Sequence, residues 1–236
     1  MIPAAAAFAL YLVGIVSRPF VYAGFLLQSG YLLYRGALIG RLPLVGVHDT
    51  LNFLSASLAG FAAAVYITEY PERKFLSACS GMAALFTVLS LLRPPHMGPL
   101  PPVLDTHWFE LHVALSFFSY ALFGVAAVLG VLYLRSPGLR EERLQYRVAF
   151  LGYAVFSISM IFGGVWAHLA WGTYWLWTPK ELWTVLIWLY YSLYLHARLV
   201  GGWAGRPSAV LGTAGFAVVI FTYLGVGLLM KSSHSF

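Results

Sequence analysis

Charge is what this sequence has least of. Only 9% of its 236 residues are Asp, Glu, Lys or Arg, where a soluble domain carries roughly 25%. That scarcity excludes a water-soluble globular protein and implies an integral membrane protein. Cysteine is almost absent too. The single Cys79 lies inside an apolar run, and no CxxC occurs, so the chain carries no thiol–disulfide chemistry of its own. Basic residues are missing from the first 16 positions. This excludes the charged start of a cleavable signal and leaves a first membrane span as the expectation. Strict alternation of apolar and polar residues is lacking as well, which argues against a membrane barrel. The net charge of +6 does not point to nucleic acid, because the basic residues are spread over connecting segments.

What is present is hydrophobic: 61% of the residues. Several runs approach the ~20 apolar residues that cross a bilayer as a helix. They predict an all-α, polytopic transmembrane bundle of about eight spans: 3–17, 20–38, 50–68, 75–92, 108–134, 148–169, 181–199 and 208–230. The first is short, and Pro19 breaks it from the second. Residues 39–48, which end at His48, read as a loop, as do 93–107, whose five prolines forbid helix, and the charged 135–147. With eight spans, one set of loops carries nine basic residues and the other five. The first set, with 135–147, is expected in the cytoplasm. The Pro-rich loop, the loop 170–180 and the C-terminal tail then share the outer face.

Tryptophan is concentrated on that face. Residues 163–198 hold six of the eight tryptophans, and four fall in the thirteen residues from Trp171 to Trp183. Two readings stand side by side. One is an interfacial aromatic belt; the other is a flat apolar platform for a large planar ligand, since indole offers wide, stiff faces at low conformational cost. Gly172 permits close backbone approach. Pro179 suits the first turn of the following helix, Thr178 can cap it, and Glu181 suits its positive end. Topology also brings His112 and His234 to the outer face. Neutral imidazole is a good axial ligand for haem iron, and a lone interfacial histidine is otherwise an ordinary polar residue there. Lys180 and Arg41 are outer cations for propionates, or plain snorkelling residues. His48 and Asp49 are further polar candidates. His196 lies 15 residues after Glu181, about 22 Å farther along a helix. It is expected near the cytoplasmic end of the seventh span, facing the bundle interior.

The stretch GGVWAHLAWGTYWLWTPKELWTVLIWLYYSLYLHAR resembles the tryptophan-rich WWD signature of the cytochrome c assembly proteins, and the closest branch looks like CcsA (ResC). LPLVGVHDTLNFLSASL resembles the segment after that family's second core helix. LPPVLDTHWFELHVALSFFSY and LGVGLLMKSSHSF resemble the segments bearing its two external haem-ligating histidines, which fall on His112 and His234. YLHAR resembles its transmembrane histidine, which falls on His196. The resemblance implies a single haem-handling domain over 1–236 with the WWD-type loop at 165–183. Haem b would be held non-covalently between two histidines, beside Trp166, Trp171, Gly172, Trp175, Trp177 and Lys180. It also implies transfer to the CxxCH motif of apocytochrome c by a haem lyase complex. The partners implied are a CcsB-type membrane subunit and, indirectly, a thioredoxin-like reductant; the setting is the bacterial cytoplasmic membrane or an equivalent energy-transducing one. A HemX-like or CcmC-like haem-binding membrane protein without lyase activity is the alternative. The chain departs from the family pattern in having Thr178 for the signature aspartate, His168 for a common asparagine, and Gln28 where the second span often carries histidine.

Overall fold

Proline and glycine divide the chain into helices. The structure, a computed structural model, describes residues 1–229. Helix α1 (Ile2–Gly14) ends before Ser17, and α2 (Arg18–Ile39) opens on Arg18-Pro19, where the missing proline N–H would have had no helical partner anyway. Helix α2 stops at Gly40, in the left-handed conformation. Helices α3 (Val47–Thr68) and α4 (Arg73–Ser90) follow. The Pro-rich segment admits one 3-10 turn, Pro102–Leu104. The hydroxyl of Thr106 then accepts the Phe109 N–H at 3.2 Å and caps α5 (His107–Arg135). Helices α6 (Leu139–Trp171), α7 (Pro179–Leu199) and α8 (Arg206–Ile220) complete the set; α8 runs on through a π-helical turn, Phe221–Gly225, and a last turn, Val226–Leu229. No strand occurs among the described residues.

Each expected span is a helix, so the chain is an all-α integral membrane protein. Two boundaries differ. Helix α3 starts at Val47, so His48 and Asp49 lie in its first turn and not in a loop. Helix α6 starts at Leu139 and takes up most of the charged segment expected as loop, with Glu141 and Glu142 at its positive end. Among the described residues, four helical runs are both long and apolar enough to cross a bilayer: α3, α5, α6, and α8 with its π turn. The thirteen residues of α1 reach only about 20 Å. Helices α2 and α7 are diluted by Gln28 and Arg35, and by Lys180, Glu181, His196 and Arg198.

The described residues form two compact units, Met1–Leu100 and Pro101 onward. In the first, α3 packs on α4 and α2, and α1 on α2 and α4. Its interior is polar as well as apolar. Gln28 is fully buried: its Oε1 accepts from Tyr11 Oη at 2.8 Å, and its Nε2 donates to Asn52 Oδ1 at 2.9 Å and Thr87 Oγ1 at 3.1 Å. Asn52 Nδ2 donates in turn to Ser90 Oγ at 2.9 Å. Away from water such bonds hold helices together, so Gln28 serves as a hub joining all four helices. Arg35 grips Asp49 with two bonds, 2.8 and 2.6 Å long. In the second unit α5 is central, packed on α6 and α8. Buried small residues on α5, among them Ala121, Gly124, Ala127 and Gly130, let the backbones approach. At one end Glu142 of α6 receives both Arg198 of α7 and the Gly205 N–H.

Candidate functional site

Helices α5 and α6 place His112 in the second unit. The imidazole lies against α6 at Gly163, where a Cβ would stand 2.6 Å from Nδ1 and 2.8 Å from Cε1; only glycine leaves room for the ring. Its Nδ1 is 2.9 Å from the Ser159 carbonyl oxygen. A carbonyl only accepts, so Nδ1 carries a proton, and in the neutral ring Nε2 then keeps its lone pair. No hydrogen bond engages Nε2 among the described residues. The clasp is doubled: Ser159 Oγ donates to the His112 carbonyl at 2.8 Å and lies 2.6 Å from Ser116 Oγ. Metal-ligating histidines share this arrangement, with one nitrogen oriented and the other open.

Around it are the aromatic rings. Trp166 stacks on His112, with centroids 6.0 Å apart and planes 19° from parallel. Its indole N–H donates to the Val103 carbonyl at 2.7 Å, fixing the ring. Trp171 meets Trp166 edge-on at 4.9 Å. Helix α6 then ends at Gly172, whose φ of 75° makes the left-handed cap; the Gly172 N–H donates to His168 O at 2.8 Å. Nothing lies within 4 Å of where its Cβ would be, so backbone conformation, and not the expected close approach, calls for glycine there. His168 stacks on Tyr174 at 4.4 Å. Trp175 buries its indole N–H without a partner among the described residues.

The loop closes on Glu181. Thr178 caps α7 with a reciprocal capping box: its hydroxyl accepts the Glu181 N–H at 3.4 Å, and the Thr178 N–H donates to Glu181 Oε2 at 2.8 Å. Glu181 reaches farther still, accepting the Leu176 N–H at 3.1 Å and the Thr178 hydroxyl at 3.1 Å. Its carboxylate therefore ties the 176–178 backbone to the first turn of α7. Glu181 thus does more than suit the positive helix end, and the T-x-x-E spacing at 178–181 is the sequence signal for its capping bonds. Between those donors Trp177 has a φ of 58° and is 68% exposed. Lys180 is half-buried in the first turn of α7.

The other expected residues fall elsewhere. His196 is exposed and does not face the bundle interior. The inward stripe of α7 is Ile187, Tyr191, Tyr194 and Leu195. His196 instead continues the outward row Leu182, Leu186, Leu189 and Leu193, because 3.6-residue periodicity carries it to that side. His48 and Asp49 are buried in the first unit and already engaged. His48 bonds Tyr31 Oη through Nε2 and the Ser90 carbonyl through Nδ1, both at 2.9 Å, and Asp49 holds Arg35. Arg41, also in that unit, donates to Gly98 O at 3.2 Å. His234 lies outside the described residues.

A helical membrane protein with an oriented imidazole among tryptophans is the class these features define. Residues 44–234 match the family described as Cytochrome C assembly protein. Among curated relatives, the cytochrome c biogenesis protein CcsA of Chlamydomonas reinhardtii is 34% identical over 84% of this chain and 61% of its own length. CcsA of Guillardia theta is 33% identical, over 84% of this chain and 77% of its own; CcsA of Microcystis aeruginosa is 32% identical, over 84% and 80%. The chain belongs to the cytochrome c assembly family and is a CcsA-like member of it.

Proposed function

We propose that the protein serves cytochrome c assembly by holding haem at the outer membrane face and presenting it to apocytochrome c. The observation that carries this reading is His112, clasped through Nδ1 with Nε2 open and stacked on Trp166 beside Trp171. These residues suit the cargo: iron takes a neutral imidazole nitrogen, and a porphyrin takes flat apolar faces. His234 is the second axial ligand of a bis-histidine haem b. Trp175 and Trp177 extend the platform, and Lys180 faces the propionates. Haem and the acceptor thiols supply the chemistry, addition of cysteine S–H across the vinyl groups at CxxCH. The chain's own residues fix the pose. A CcsB-type membrane subunit completes the lyase, and a thioredoxin-like reductant keeps the acceptor thiols reduced. The setting is the bacterial cytoplasmic membrane or an equivalent energy-transducing one.

The test is the absorption spectrum of the purified protein loaded with hemin. Wild type should give a six-coordinate low-spin spectrum. His112→Ala should give a five-coordinate or replaced-ligand spectrum that added imidazole restores, and the double variant with His234→Ala should lose specific binding. A double variant that keeps the wild-type spectrum overturns the assignment. Transfer of haem to a CxxCH acceptor in cells, with a CcsB-type partner present, separates this reading from a HemX-like or CcmC-like haem binder that lacks lyase activity.

A further inference from the structure

Trp177 combines two unfavourable features. Among the described residues it alone, apart from glycine, has a positive φ, a backbone state that side chains with a Cβ avoid. Its indole is also among the more exposed large hydrophobic groups, at 68%. Such a state persists only where the surroundings impose it. Here the two peptide N–H groups flanking Trp177 converge on one carboxylate: Leu176 N–H reaches Glu181 Oε1 at 3.2 Å and Oε2 at 3.1 Å, and Thr178 N–H reaches Oε2 at 2.8 Å. A left-handed residue turns the amides around it toward one side, the concave arrangement that binds anions. In this loop the anion is built in. Glu181 is only 9% exposed, so its charge is directed into the loop and not into solvent.

We propose that Glu181 is a positioning residue: as the resident anion of the 176 and 178 amides, it holds Trp177 in the left-handed conformation and keeps its indole turned outward for a flat apolar ligand. The identity of that ligand rests on the haem reading above; the positioning rests on the loop alone. The two roles of Glu181 share the Thr178 N–H, which also completes the capping box, and part at the Leu176 N–H, which lies outside it. Thr178→Ala removes the hydroxyl from both of its bonds to Glu181 and leaves both amides in place. Glu181→Gln keeps one acceptor oxygen for two amides and belongs between wild type and Glu181→Ala.

The full chain in detergent is loaded with hemin, and release to excess apomyoglobin is timed. Glu181→Ala should speed release on the order of tenfold, the scale of one strained backbone state, with Glu181→Gln intermediate and Thr178→Ala close to wild type. In a Trp177→Ala background Glu181→Ala should add little, because both changes then remove the same contact. Equal effects of Thr178→Ala and Glu181→Ala would reduce Glu181 to a helix cap and overturn the proposal, as would an undiminished Glu181→Ala effect without Trp177. A second readout needs no haem. With 5-fluorotryptophan incorporated, the ¹⁹F signal of Trp177 is identified as the one lost in Trp177→Phe. Glu181→Ala should shift or broaden that signal and leave that of Trp203 in place, and an unchanged Trp177 signal overturns the proposal. A wild-type protein that takes up no hemin would sink the haem reading, while the fluorine signal still decides whether Glu181 sets Trp177.

Discussion

At the scale of the residue, a ligand is made by what holds its other atoms. His112 is oriented by the Ser159 carbonyl and by the space that Gly163 leaves. Gly163→Ala should therefore act on haem and not on folding. Its Cβ would lie 2.6 Å from His112 Nδ1, so the ring must leave its place and lose the Ser159 bond. The substitution otherwise favours a helix interior by about 0.5–1 kcal/mol. Hemin uptake close to that of His112→Ala, with a melting temperature in detergent near wild type, is the expected pair of results; normal uptake would show that the ring does not need the Gly163 slot. Ser159→Ala keeps the carbonyl and loses only the hydroxyl bonds, so its effect on uptake should be smaller. His196 sits on the outward leucine row of α7, and His196→Ala should leave the hemin spectrum unchanged. A changed spectrum would return it to the haem path.

At the scale of the element, Arg35 joins α2 to α3 and to the Pro-rich segment. It pairs with Asp49 at 2.6 Å with both side chains at most 4% exposed, and it donates to the His96 carbonyl at 2.9 Å. Arg35→Ala leaves a buried carboxylate unpaired, and breaking one side of such a pair costs about 3–5 kcal/mol. The double change with Asp49→Ala should regain much of that, read as thermal melting in detergent; equal losses in single and double variants would mean the pair does not carry the effect. Little of this was legible beforehand. The helices were, because runs of apolar residues bounded by Pro19, the prolines of 94–102, Gly172 and Pro179 leave few other choices. The Thr178 cap was legible because capping is local. Which side of α7 turns inward was not, since aromatic and apolar residues ring the whole helix and only packing selects the Tyr191–Tyr194 side. The bonds of Gln28 to Asn52 and Thr87 were not either. They link positions 24 and 59 residues apart, and no local pattern records such pairings. His112 was singled out through resemblance, but Gly163 and Ser159, which orient it, carry no signature of their own.

At the scale of the whole molecule, the function proposed requires the tryptophan loop and the C-terminal tail on one side of the membrane and the 135–147 segment on the other. With the expected eight spans, the basic residues divide nine to five between the two sets of loops. Arg35 belongs to the smaller group by position, and its burial against Asp49 in the folded state does not remove it from that count. Some of the larger group also act as clasps: Arg73 donates to the Val16 carbonyl at 2.6 Å and Arg198 holds Glu142. Orientation depends on the charge that each loop presents as it inserts, so these later roles do not cancel the bias. The bias predicts that 135–147 lies in the cytoplasm. The chain suits a labelling test, because its one native cysteine, Cys79, is buried and should stay silent to a membrane-impermeant maleimide. Ser136 is exposed at the end of α5, so a Ser136→Cys variant reports on the charged segment, and Ser235→Cys reports on the tail. In intact cells Ser235→Cys should label and Ser136→Cys should not, and permeabilised cells should label both. The reverse pattern would place His112, the tryptophan loop and His234 on the cytoplasmic side, where no exported apocytochrome could meet haem held between them.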